Sequence, residues 1–251
     1  MRQDFEQYLQ KNSVWKSPKR LTYVMKHYFR GLILDNRSVL EIGAGSGVLS
    51  IWCALNGASE VVAIEPEFDG STKGVHEEFK KISKNVALTN KISYLDMTFE
   101  DYLFANSSKS VDYVLMHAVI NHLNESAVQK LHLPSADKER EIYKKIFRDL
   151  NSILKHDGVL LMFDVGRYNF WHDLKLKNPF TKSIEYEKHQ QPRLWKSLLE
   201  ETGFECIDIS WSVPLKLRKF GFFLNTFLPS YLTNSSFFLR AKKVKSISAQ
   251  S

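Results

Sequence analysis

A chain of 251 residues that is 43% hydrophobic and 25% charged suits one substantial globular domain with a large core, and implies no second complete one. Its two cysteines, Cys53 and Cys206, lie in apolar contexts and argue against a secreted disulfide framework, which makes a reducing cytoplasm the expected compartment. The start Met1-Arg-Gln-Asp-Phe-Glu lacks the apolar run of a signal peptide, no 18-residue span is free of polar interruption, and a formal net charge of +7 accommodates an acidic partner without selecting one.

In chain order, Leu21, Val24, Met25, Tyr28, Phe29 and Leu32 follow the spacing of an amphipathic helix ending before Asp35-Asn36. An apolar strand from Ser38 runs into a glycine turn, then a short helix spans 48–55 and a second strand spans 60–64. A helix over 72–89, a strand over 92–95, a buried strand over 111–116 and a helix over 137–154 follow. His156-Asp157-Gly158 reads as a turn into a fifth strand, 159–165, whose continuous apolar run marks a strand covered on both faces. Pro192 opens a helix that Gly203 ends, 204–211 has period-two character, and Phe237-Phe-Leu239 returns as the last strand. Alternating strands and helices imply a parallel sheet with helices on both faces and a ligand crevice at the carboxyl ends of the strands.

The most informative stretch is Ser38-Val-Leu-Glu-Ile-Gly-Ala-Gly-Ser-Gly47, answered by Val61-Val-Ala-Ile-Glu65. Glycines at such a turn let backbone approach a ligand closely, and an acid about 20 residues on accepts hydrogen bonds from ribose hydroxyls. Val48 stands where a dinucleotide fold carries its third glycine, so the spacing is G-x-G-x-G. Together with Glu41 it resembles the first motif of the class I S-adenosylmethionine-dependent methyltransferases. That resemblance implies an α/β, Rossmann-like, seven-stranded, mostly parallel sheet with an antiparallel last strand and helices on both faces. It covers about residues 20–242 and is most specific over 38–165. It divides the chain into an N-terminal helical segment (1–36), a cofactor-binding core (37–165), and a substrate-side insertion with the sheet-completing part (166–251) of the same domain.

The resemblance also implies S-adenosylmethionine as cofactor, S-adenosylhomocysteine as product and no metal. It assigns cofactor contacts to Glu41, Gly43, Ala44, Gly45, Gly47, Glu65 and Pro66, with Glu65 gripping the ribose. Thr98 stands where relatives carry an adenine-side acid, and Phe99 lies along the adenine or in the core. The loop Met116-His-Ala-Val-Ile-Asn-His-Leu123 faces cofactor and substrate in the family, which places His117 near the methyl group. His117, His122 and His189 are the candidate bases, since histidine titrates near neutral pH; ordinary packing is the alternative for His122. Asn121, Arg167, Tyr168, His172 and Glu185 are candidate substrate contacts, while Gln191 and its neighbours alternatively cap the following helix.

The place of the Asp/Asn-Pro-Pro-Tyr motif of nucleic-acid amino-methylating relatives reads His-Ala-Val-Ile-Asn-His, and no nucleic-acid module is appended. A small molecule, sugar or lipid-linked glycan methylated on oxygen is the expected acceptor, with RNA or protein as alternative. The clusters Lys11, Lys16, Lys19, Arg20, Lys26, Arg30 and Lys216, Arg218, Lys219, Arg240, Lys242, Lys243, Lys245 read as solvated faces. The aromatic stretch 220–239 reads as a hairpin closing the sheet, with Asn225 and Pro229 in its turn, in preference to a membrane-resting surface.

Overall fold

The computed structural model describes residues 2–12, 15, 17–67, 73–86, 91–106, 108–181, 184–214, 217 and 224–244. Lys16, Lys216, Arg218, Lys219, Lys245 and the start of the aromatic stretch at Phe220 lie outside them. The chain forms two compact units, residues 1–116 with 153–158, and residues 117–152 with 159–251.

The first unit opens with helices α1 (Arg2–Lys11) and α2 (Pro18–Tyr28). Ser17 caps α2 by accepting the Arg20 amide at 3.1 Å, and Pro18 takes the first position, where no amide is needed. Leu21, Val24, Met25 and Tyr28 are its buried face, and the Tyr28 hydroxyl donates to the Met116 carbonyl at 3.2 Å. There follow β1 (Ser38–Ile42), α3 (Val48–Leu55), β2 (Glu60–Ile64), α4 (Val75–Asn85), β3 (Ile92–Leu95), α5 (Phe99–Ala105) and β4 (Val111–His117). β1 pairs in parallel with β2 and β4, β2 pairs in parallel with β3, and all five residues of β1 are buried.

The second unit carries α6 (Glu125–Val128), α7 (Asp137–Ile153), β5 (Leu154–Val165), α8 (Phe170–Asp173), α9 (Pro192–Glu200), β6 (Phe204–Ser212), α10 (Phe227–Tyr231) and β7 (Ser236–Lys243); Ile153 and the first residues of β5 belong to the first unit. β7 runs antiparallel to both β5 and β6. The seven strands form one sheet in the order β3-β2-β1-β4-β5-β7-β6. This is the expected mixed sheet with its reversed last strand. Cys53 and Cys206 are both free thiols.

Three local expectations need correction. The turn at His156-Asp157-Gly158 is absorbed into β5, which already begins at Leu154. Asp157 takes φ 61° there, and a Cβ on Gly158 would stand 2.9 Å from the Lys155 carbonyl and 3.1 Å from that of Asp112, so only glycine permits the close approach. The connection between β6 and β7 is not a tight hairpin turn. Pro229 sits in the first turn of α10, where its missing amide has no intrahelical partner to lose. Gln191 precedes α9 without a capping bond from its side chain.

At one end of the first unit Asp112 ties β1, β4 and β5 together. Its carboxylate accepts from Ser38 N at 2.9 Å, Ser38 Oγ at 2.7 Å, Arg37 Nη1 at 3.0 Å and Lys155 Nζ at 2.8 Å. Burial raises its pKa, but the hydrogen bonds from Lys155, Ser38 and Arg37 outweigh that and hold it well below the ordinary carboxylate value. A depressed pKa means the native state binds fewer protons than the unfolded chain, so the stabilisation is present above the ordinary value of 3.8 and is lost as pH falls below it. Asp112→Asn is expected to cost about 2 kcal/mol at neutral pH. In thermal melts from neutral to acid pH, the variant should fall less steeply than the parent; parallel curves would contradict this.

Candidate functional site

The glycine turn between β1 and α3 is built from three residues in the left-handed region: Gly43 at φ 70°, Gly45 at 51° and Gly47 at 69°. L side chains avoid that region, so the sequence admits little but glycine there. The amides of Gly43 and Ala44 both donate to the Ile64 carbonyl, at 3.0 and 3.1 Å, which docks the turn on the end of β2. Glu65 follows directly, and its Oε2 accepts the Gly45 amide at 2.8 Å.

The glycines differ in what requires them. A Cβ on Gly47 would lie 2.6 Å from Phe79 Cδ2, so this residue lets α4 pack against the turn. Among the described residues, a Cβ on Gly45 would meet nothing within 4 Å, so the backbone there faces open space.

Glu41 is 1% exposed at the centre of β1, and its Oε2 accepts both the Ser50 amide at 2.9 Å and the Ser50 hydroxyl at 2.5 Å. Burial drives its pKa up to about 8, against the two Ser50 bonds that lower it and with the Glu65 carboxylate adding to the rise. Tyr94 on β3 donates its hydroxyl to the Gly45 carbonyl at 2.6 Å, and its ring stacks with those of His76 at 4.9 Å and Phe79 at 4.5 Å. Burial, then the nearby Glu65 and Glu41 carboxylates, push its phenol pKa up. Tyr94 was legible only as one apolar position of a short strand, and nothing in its spacing marked it. Among the described residues, Glu67, His76 and Asp96 bring ligand-type atoms within 4.8 Å of one another; Asp96 already accepts the Glu67 amide at 3.0 Å.

Thr98 caps α5: its hydroxyl accepts the Asp101 amide at 3.1 Å and donates to Asp101 Oδ2 at 2.7 Å. That capping box commits its side chain to the helix. Phe99 is 4% exposed and is one of the buried core residues.

The second unit gathers most of the remaining candidates. His117 stacks on Phe163 at 4.5 Å and 8°. The next residue, Ala118, holds φ 56° while its amide donates to the Phe163 carbonyl at 2.8 Å. A non-glycine residue in this region is strained, and such strain clusters at functional loops. His122 is turned out to solvent and meets Glu125 Oε1 at 2.8 Å. Asn121 is 4% exposed, and its Oδ1 finds no hydrogen-bond partner among the described residues.

Asp164 at the end of β5 is fully buried, and its Oδ1 accepts from Val165 N at 2.7 Å and from His189 Nδ1 at 3.1 Å. Its Oδ2 has no partner among the described residues. A buried unpartnered oxygen is costly, and native structures keep few of them. Arg167 Nη1 donates to the Glu187 carbonyl at 2.6 Å, and His172 Nε2 lies 3.7 Å from the Glu187 carboxylate. Glu185 pairs with Lys188 at 2.8 Å, and Tyr168 is exposed. Of the candidate histidines, His189 is paired with the buried Asp164 and His122 with the exposed Glu125. The order Asp164, then His189 ahead of Pro192, was visible as residue types, but not their meeting across 25 positions.

A family profile described as methyltransferase domain matches residues 19–209. The chain belongs to the methyltransferase domain family. The chain is 21% identical over 155 residues to a ribosomal protein L11 methyltransferase of Prochlorococcus marinus, covering 60% of this chain and 49% of that protein. It is 26% identical over 207 residues to a protein-lysine methyltransferase of Bos taurus, covering 73% of this chain and 64% of that protein. The chain thus spans about half of the first relative and under two thirds of the second. Among solved structures, it is similar to a methyltransferase from Aquifex aeolicus (TM-score 0.54, 14% identity, 89% of each chain). It is also similar to magnesium protoporphyrin IX methyltransferase of Synechocystis with bound S-adenosylhomocysteine (TM-score 0.54, 17% identity, 90% of this chain and 82% of that one). The fold is the class I fold of S-adenosylmethionine-dependent methyltransferases, as the first motif implied.

The raised pKa of Glu41 carries a sign that can be measured. The native state holds its proton where the unfolded chain has released it, so the contribution to stability is full below 4.5 and is lost as pH rises to about 8. The slope is at most about 1.4 kcal/mol per pH unit. Glu41→Gln mimics the protonated form, and its denaturant midpoint should hold steady over that window while the parent's falls. A parent midpoint that rises over the window would contradict the assignment.

Proposed function

We propose that this methyltransferase transfers the methyl group of S-adenosylmethionine to an oxygen of a small molecule, sugar or lipid-linked glycan. The observation that carries the cofactor reading is the left-handed glycine turn joined to Glu65 through the Gly45 amide, with open space above Gly45. The residues fit the ligand. Gly43, Ala44, Gly45 and Gly47 let backbone approach it, Glu65 offers acceptor sites for ribose hydroxyls, and Pro66 continues the same edge. The Glu65 carboxylate suits a sulfonium cation better than a pyrophosphate, while Glu41, with its pKa raised by burial to about 8, is held largely protonated beneath the turn. Bound there, S-adenosylmethionine supplies an activated methyl group.

The oxygen reading is supported by His189. With Nδ1–H donating to Asp164, the other ring nitrogen is left as an acceptor, and the carboxylate stabilises the imidazolium once it forms. With S-adenosylmethionine bound, the methyl carbon–sulfur bond would break with its electron pair leaving on sulfur as the acceptor oxygen takes the methyl group, and His189 Nε2 would accept the proton that oxygen releases. Asp164 is the positioning residue. The unpartnered oxygens of Asp164 and Asn121 suit an acceptor rich in hydroxyl donors. His122, paired with Glu125 in solvent, serves better as a surface group, while His117, Arg167, Tyr168, His172 and Glu185 remain our candidates for holding cofactor or acceptor.

The curated relatives favour a second reading, a protein side chain as acceptor, because they are named for ribosomal protein L11 and for lysine. A tritiated-methyl transfer screen over metabolite, lipid, protein and RNA fractions separates the two: label should enter the metabolite or glycan-lipid fraction, and label in protein alone would replace the first reading with the second. With an acceptor in hand, His189→Gln should lower kcat about a hundredfold and leave cofactor affinity unchanged. Asp164→Asn should slow turnover and alter the pH dependence of kcat. Unimpaired turnover in His189→Gln would remove it as base.

A further inference from the structure

Two segments of the second unit expose more apolar surface than their packing needs. α8 and the turn after it present Leu174 and Leu176, 54% and 53% exposed. α10 and the residue following it present Phe227, Leu228 and Leu232, 47%, 61% and 38% exposed. These segments are bound to each other: Trp171 Nε1 donates to the Leu232 carbonyl at 2.9 Å, the Tyr231 hydroxyl donates to Asp173 Oδ2 at 2.9 Å, and Phe170 meets Tyr231 edge-on at 6.3 Å. These contacts hold the two exposed segments side by side. Single exposed leucines are ordinary, but a joined patch marks a docking site.

The charge pattern on that surface selects the occupant. The sequence after Asp173 reads Leu174-Lys175-Leu176-Lys177, and Lys175 holds φ 56°, so leucines and lysines alternate around an exposed turn. Among the described residues, Asp173 accepts from Tyr231 and Glu187 faces His172, and neither forms an ion pair with Lys175 or Lys177. A protein partner covering the leucines would have to desolvate the lysines interleaved with them. At a bilayer both are satisfied, because lysine stems run along the acyl boundary while their ammonium groups stay among the phosphates.

We propose that this face docks on the surface of an anionic lipid bilayer, with Leu174, Leu176 and Leu228 entering the headgroup boundary and Lys175 and Lys177 binding lipid phosphates. Among the described residues no helix is long and apolar enough to cross a membrane, so the contact is peripheral. This reverses the preference drawn from the sequence for the 220–239 stretch. It does not rest on the methyl-transfer reading.

The test is co-sedimentation of the full chain with vesicles of phosphatidylcholine alone, and of phosphatidylcholine with phosphatidylserine, at low and high salt. The protein should pellet with the phosphatidylserine vesicles at low salt and return to the supernatant as salt rises. The double variant Lys175→Glu with Lys177→Glu should bind those vesicles at least tenfold more weakly, on the order of fivefold per lysine. Leu174→Ser with Leu228→Ser should weaken binding to the phosphatidylserine vesicles at low salt, where the lysines are intact. All side chains changed are exposed, and an unchanged melting temperature shows that each variant is folded. Protein that stays in the supernatant with either vesicle, variants that bind like the parent, or self-association through this patch without vesicle binding would each overturn the proposal.

Discussion

The hydrogen bond from the Gly45 amide to Glu65 Oε2 fixes the part of the molecule that the rest of the first unit serves. It exists only because β1 and β2 run in parallel with Ile42 opposite Ile64, so that the residues following each strand emerge side by side. The amides of Gly43 and Ala44 both reach the Ile64 carbonyl because the turn takes positive φ at alternate positions. A side chain at those positions would strain the backbone, and at Gly47 it would strike Phe79 as well. Sheet register, glycine content and the placement of one acid are thus a single constraint.

The same constraint imposes an electrostatic cost. Placing Glu41 inside the sheet and Glu65 at the neighbouring strand end brings two carboxylates under one turn, and the buried one is driven toward its neutral form. Ser50 offsets part of this by donating twice, and the Tyr94 hydroxyl donates to the Gly45 carbonyl rather than competing for the acids.

Much of this was legible in the sequence, for identifiable reasons. The G-x-G-x-G run, the apolar strands around it and the acid beyond the second strand are local patterns whose backbone demands can be met in few ways. The antiparallel last strand followed from the resemblance, and its extent, Ser236–Lys243, exceeded the three apolar residues that announced it because Arg240, Lys242 and Lys243 are strand residues too. Thr98 could be placed by alignment but not interpreted, since its role as a helix cap depends on Asp101 three residues on. The pairing of Asp164 with His189 was beyond sequence reading, for it depends on where a loop between β5 and α9 returns. Fold-determining residues act through neighbours in sequence; the polar pairs of the second unit act through neighbours in space.

Isothermal titration of the chain with S-adenosylmethionine, run beside NAD, is the most direct measurement of the central claim. The account predicts saturable one-to-one binding of S-adenosylmethionine that Glu65→Ala abolishes, with no heat from NAD. Binding of NAD in preference, or S-adenosylmethionine binding that survives the loss of the Glu65 carboxylate, would contradict it.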